Sequence, residues 1–194
     1  MIDPLINIPR EYTAIAEWLF STLYILFAHK KIKGIKLVAL MILFLGIFLG
    51  YQLLAGILPI GFWIPTMIGA TLLMWVYIFV LTKMNPITAG YYTIQAFIMA
   101  EFAASFEWQI YYYIAQRSGD YFLLSLIFMI IIFLGLFLGA FLLEYRLRAN
   151  KNELFIRKND LLSALGIGLA IFIISNMSFT GINSPFTGRY VAEI

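Results

Sequence analysis

The chain contains no cysteine and a single histidine in 194 residues. The first absence excludes disulfides, thiolate metal centres and cysteine nucleophiles, and it leaves the redox compartment open. The second confines any catalytic triad or multi-histidine metal site to His29, which stands beside Lys30 and Lys31 at the edge of an apolar run. No cofactor and no metal are therefore expected. Charge is scarce as well: 12% of residues are charged against 63% hydrophobic, with a mean hydropathy of +0.93, outside the range of soluble globular domains. The segment Met1–Glu11 lacks the basic region and small-residue cleavage site of a secretory signal, so the first apolar run is expected to be retained.

What is present is length of apolar sequence. Six runs, approximately Tyr12–Ala28, Leu37–Leu58, Ile60–Leu81, Pro86–Gln116, Tyr121–Leu143 and Leu161–Phe179, each approach or exceed the number of residues needed to cross about 30 Å of hydrocarbon at 1.5 Å per residue. With short connections between them, they predict an all-α integral membrane protein. The expected fold is one bundle of six transmembrane helices over residues 1–194, multi-pass in the cell membrane, with the lipid bilayer as its first partner. Ten of the thirteen Lys and Arg fall in the first, third and fifth connections: Lys30, Lys31, Lys33 and Lys36, then Lys83, then Arg146, Arg148, Lys151, Arg157 and Lys158. The positive-inside rule then places these loops in the cytoplasm and both termini outside. The net charge of +3 calls for no nucleic-acid partner, because anionic headgroups suffice. An outside C-terminus means that a chain continuing past Ile194 would need one more span to reach the cytoplasm. In Thr180–Tyr190, Ser184-Pro185 and two glycines read as turn chemistry, predicting a capping or re-entrant loop.

Two nearly identical strings, Phe44–Gly50 and Phe133–Gly139, lie three spans apart, and each holds a Gly-x-x-x-Gly pair that permits close helix approach. An offset of three spans would make any duplication inverted, as in many transporters. Coincidence among Leu, Phe and Gly is the plainer reading.

The fourth run carries Glu101, Ser105, Glu107, Trp108 and Gln109 inside otherwise apolar sequence. An acid at mid-bilayer costs roughly 2.5–3.5 kcal/mol, so such residues are functional candidates. At 100° per residue the two glutamates point about 120° apart and sit roughly 9 Å apart along the axis, which rules out a paired-carboxylate dyad. One would face a neighbour across the small stripe Ala96, Ala100 and Ala103, and the other a cavity or a second helix. Glu17 is expected at the depth of Glu107, so that Glu17, Glu107, Gln109 and the Thr180–Tyr190 tail would line an outward vestibule with Arg10 or Arg117 as counter-charge. A purely structural role for Glu101 and Glu107, and an interfacial position snorkelling to headgroups for Glu17, stand beside this. Trp18, Trp63, Trp75, Trp108 and Tyr111–Tyr113 read mostly as interfacial aromatics.

The string Glu101-Phe-Ala-Ala-Ser-Phe-Glu-Trp-Gln109, followed by Ser175–Phe179 and by Asn183–Tyr190, resembles the N-terminal membrane region of GHKL-type sensor histidine kinases of Gram-positive bacteria. The resemblance implies a sensory domain that perceives an extracellular or membrane-embedded ligand, such as a peptide, and works as a homodimer. In that family a further span and a cytoplasmic kinase module follow. It implies ligand-binding or signal-transmitting roles for Glu101, Ser105, Glu107, Trp108 and Gln109, and for Asn176, Ser178, Asn183, Pro185, Phe186 and Gly188. No phosphoacceptor helix and no ATP-binding boxes follow within 194 residues, so the chain itself is expected not to be an enzyme. The competing expectation is a small-molecule transporter or substrate-binding membrane subunit. Helices broken at mid-membrane would favour it; unbroken ones favour sensing.

Overall fold

The computed structural model describes residues 9–59, 62–118, 122–149 and 156–176, and these form six α-helices: α1 (Arg10–Phe27), α2 (Ile35–Ile57), α3 (Trp63–Leu81), α4 (Pro86–Ser118), α5 (Phe122–Ala149) and α6 (Lys158–Asn176). Local chemistry explains several starts. Pro86 opens α4, and Pro65 lies in the first turn of α3, where a missing N–H costs nothing. Asn85 caps α4 by accepting the Thr88 N–H at 2.7 Å. Asp160 reaches back to accept the Arg157 N–H at 2.8 Å, the reciprocal half of a capping box at the start of α6. Before α2 the chain turns through Gly34 at φ +66°, a conformation that favours glycine.

Helices α1 and α4 form the centre. Eleven of the eighteen residues of α1 are buried, and α4 packs most extensively on α1 and α6. Tyr24 lies against Tyr92 with ring centroids 5.0 Å apart, setting the level at which α1 and α4 pass. The stripe Ala96, Ala100, Ala103 is fully or almost fully buried, so small side chains let neighbouring helices close on α4. Leu161 of α6 comes up to Gly90, and a Cβ placed on Gly168 would stand 2.8 Å from Ile94 Cγ2, so α4 and α6 run side by side in one direction. The ends of α1 and α3 are tied together: the Lys31 N–H donates to Leu81 O at 2.9 Å and the Lys83 N–H to His29 O at 2.8 Å, forming a single antiparallel bridge. The ammonium of Lys31 also donates to Phe79 O at 2.7 Å and sits 4.4 Å above the Phe79 ring, where a cation meets the open carbonyls of a helix C-terminus.

The distribution of polarity is inverted relative to a water-soluble protein. Three helices, α2, α3 and α5, are long and apolar enough to cross a membrane, and they expose most of their apolar length. Leu134, Leu138 and Leu142 on α5, Ile42 and Leu43 on α2, and Ile68 and Leu72 on α3 are all exposed. The two fully buried acids, Glu17 and Glu107, by contrast, lie on α1 and α4 at the centre. Water would drive the opposite arrangement, so the surface of this protein matches hydrocarbon.

Among the described residues the Gly-x-x-x-Gly pairs mediate no contacts. Cβ atoms added at Gly46, Gly50, Gly135 and Gly139 would meet nothing within 4 Å. Close approach occurs at glycines outside those strings, at Gly168 beside Ile94 and at Gly69 beside the Tyr51 hydroxyl, which donates to Thr66 O at 2.8 Å.

Candidate functional site

The polar side chains of the interior concentrate along α1, which packs against both α2 and α4. Glu17 is 1% exposed and faces α2, because the 3.6-residue period puts it on the same buried face as Thr13, Phe20, Ser21 and Tyr24. Gln52, also 1% exposed, donates from Nε2 to Glu17 Oε1 at 2.8 Å. Among the described residues the second carboxyl oxygen, Oε2, has no partner, and neither does the hydroxyl of Ser21 one turn further along α1. Glu101 of α4 is half-buried and within electrostatic range of both Glu17 and Arg10. Arg10, at the start of α1, lays its stem near Gly56 of α2: a Cβ at that position would lie 3.3 Å from Arg10 Cγ. Two acids, one amide, one hydroxyl and one guanidinium therefore form a polar seam along α1, with α2 and α4 each packed against that helix.

Further toward the other end of α1, Thr22 and the Tyr77 hydroxyl of α3 are 2.9 Å apart in a buried hydrogen bond, and Tyr77 packs on Phe44 and Phe48 of α2. Trp18 donates from its indole to Met41 O at 2.9 Å. These bonds tie α1 to α2 and α3 below the seam, so a change in the seam acts on a helix held at its far end.

Glu107 is fully buried, and neither of its carboxyl oxygens has a hydrogen-bond partner among the described residues. It belongs to the face of α4 that buries Ala100, Ala103, Ala104 and Tyr111. A buried carboxyl without hydrogen bonds is costly in any ionisation state, and a polar group left in that condition is a site where a proton or a ligand cation has something to gain.

The expected site residues are thus only partly brought together. Glu17 lies at the level of Glu101 rather than Glu107, because the Tyr24–Tyr92 contact fixes how far α1 and α4 are staggered. The outward vestibule built from Glu17, Glu107 and Gln109 is replaced by a Glu17–Gln52–Glu101 seam and a separate buried Glu107. Ser105 is half-buried and Gln109 exposed. Trp108 is half-buried and packs on Tyr111 with centroids 5.2 Å apart. Asn176 is the last residue of α6, and the parallel course of α4 and α6 carries that end of α6 toward the level of the Glu101–Glu107 stretch. Asn183 and Phe186, with Ser178, Pro185 and Gly188, lie outside the described residues. Two members of the seam were not among the expected site residues. Gln52 was visible only as an amide in an apolar helix, and Ser21 only as a hydroxyl four residues after Glu17. Comparison with models of known families, with curated proteins and with solved structures finds no match to this chain.

Proposed function

We propose that this chain is a membrane sensory domain of six spans, with both ends extracytoplasmic, that perceives an extracellular or membrane-embedded signal and passes it on by repacking α1, α2 and α4. The observation that carries this reading is the seam itself: a buried carboxyl, Glu17, held by one hydrogen bond from Gln52 with its other oxygen unpartnered among the described residues, on the helix that packs against both α2 and α4. Such a seam has two accessible arrangements when a proton or ligand changes how its polar groups are satisfied, and the helices then shift as units. The resemblance of Glu101–Gln109 to the membrane region of sensor histidine kinases agrees with it, and implies a cytoplasmic kinase module as the receiver and a homodimer as the working unit. Shared sidedness of the α1–α2 and α3–α4 connections, tied by the Lys30–Thr82 bridge, agrees with the basic loops lying together in the cytoplasm.

Transport is the rival class, and the buried acids are what it would use. Against it, each of the six helices runs unbroken among the described residues, whereas carriers commonly build midplane sites from interrupted helices. The test is a chimera in which this chain is joined through one further span to a histidine-kinase module, with autophosphorylation measured in proteoliposomes. Glu17→Gln and Glu107→Gln are expected to shift output severalfold while helicity is kept. Unchanged output in both variants, or ion flux through the chain alone, would remove the sensory reading.

A further inference from the structure

A groove of about 430 Å³ lies at the junction of α1 and α2, lined by Ala28, His29, Lys30, Lys33, Gly34 and Leu37. Its sides are cationic and its floor is apolar. The segment that forms it, residues 28–37, contains no acid, and neither does residues 79–85, the segment tied to it; together they hold five lysines and the only histidine of the chain. The groove is held in shape by backbone: His29 O accepts the Lys83 N–H at 2.8 Å, the Lys31 N–H donates to Leu81 O at 2.9 Å, and Gly34 fixes the turn into α2 at φ +66°. Lys31 is occupied at the end of α3, where it donates to Phe79 O. Lys30 gives one of its three protons to Leu26 O at 3.2 Å, which holds its ammonium beside the groove with donors to spare.

From this geometry we propose that the groove is a binding site for the phosphate-bearing headgroup of an anionic membrane lipid, independent of the sensory reading. Its position decides the source of the phosphate. α2 is a candidate membrane span and starts at Ile35, directly after the groove, with Ile35 and Val38 exposed on its first turn. A headgroup seated between Lys30 and Lys33 therefore has its acyl chains against Leu37 and Val38, while a soluble phosphate would leave that apolar side of the site unused. Cations at the boundary of a span attract anionic lipid generally. The backbone-tied loop converts that attraction into a localised site, because its backbone and the Lys30 ammonium need not be ordered on binding.

The test is native mass spectrometry of the full chain released from micelles containing equal amounts of phosphatidylglycerol and phosphatidylcholine with identical acyl chains. Retention of phosphatidylglycerol over phosphatidylcholine is expected. Lys30→Gln with Lys33→Gln should lower that preference roughly fivefold for each lysine removed, about 25-fold together. Lys30→Arg with Lys33→Arg should retain it, and Arg157→Gln with Lys158→Gln, at the start of α6 and outside the groove lining, should leave it unchanged. Helicity by circular dichroism identifies a misfolded variant, in which case the wild-type preference and the arginine pair decide. Equal retention of the two lipids, or equal loss in the Arg157/Lys158 pair, overturns the proposal. Displacement of bound lipid by millimolar glycerol phosphate overturns the lipid as the source and leaves a soluble phosphate site.

Discussion

Gln52→Leu probes the seam most sharply, because it removes the one hydrogen bond that Glu17 makes to a described side chain while keeping volume and helix propensity nearly constant. Interhelical hydrogen bonds in membranes contribute about 0.6 kcal/mol on average and up to about 1.7. Stranding the buried partner adds about 1–3 kcal/mol, so the substitution should destabilise the fold by about 2–3 kcal/mol. Glu17→Leu strands the Gln52 amide instead and should cost about 1–2 kcal/mol by the same reasoning. The double variant removes both polar groups and leaves two leucines facing one another in an apolar seam. It should return to within about 1 kcal/mol of the parent, a coupling of at least about 2 kcal/mol between residues on different helices. Unfolding in mixed micelles of increasing dodecyl sulfate content, followed by far-ultraviolet circular dichroism, reads all four corners of the cycle. A double variant as unstable as the two singles added together would refute the pairing.

Other consequences are open to direct measurement. Gly168→Ala sets a methyl 2.8 Å from Ile94 Cγ2, a branched position with little freedom to yield, and should cost about 1–3 kcal/mol, with Ile94→Ala restoring part of it; Gly135→Ala, which meets nothing within 4 Å, should change monomer stability by less than about 0.5 kcal/mol. Tyr77→Phe removes the bond to Thr22 and should lower stability by about 0.5–1.5 kcal/mol in the same unfolding assay. Because the chain has no cysteine, single cysteines at Lys33 and Lys83 can be labelled without background. The tie between their loops predicts that an impermeant maleimide reaches both from the same side of sealed vesicles, and labelling from opposite sides would contradict the fold.

Helix number was legible because bilayer-length apolar runs are set by composition, with boundaries fixed by residues such as Pro86 and Asn85. The ends were less so: α5 continues from Leu143 to Ala149, since Glu144–Arg148 are good helix formers and nothing in the hydropathy marks where a helix leaves the apolar phase. The site was legible as a set of expensive residues and illegible as a geometry. Which acid of α4 comes level with Glu17 depends on the stagger of two helices, and that is set by the Tyr24–Tyr92 contact and the alanine stripe rather than by position along either helix. The Gly-x-x-x-Gly strings mislead for a related reason. A motif states that a helix permits close approach, and says nothing of whether a partner within the same chain takes it.

The inverted distribution of polarity is the foundation of this account, and spin-label accessibility in bilayers measures it directly. With a nitroxide on a cysteine at Leu138, exposed on α5, the account predicts strong relaxation by oxygen and weak relaxation by a water-soluble nickel chelate; at Ser21, buried on α1, it predicts weak relaxation by both. Strong relaxation of the Leu138 label by the nickel chelate would place that surface in water and contradict the account.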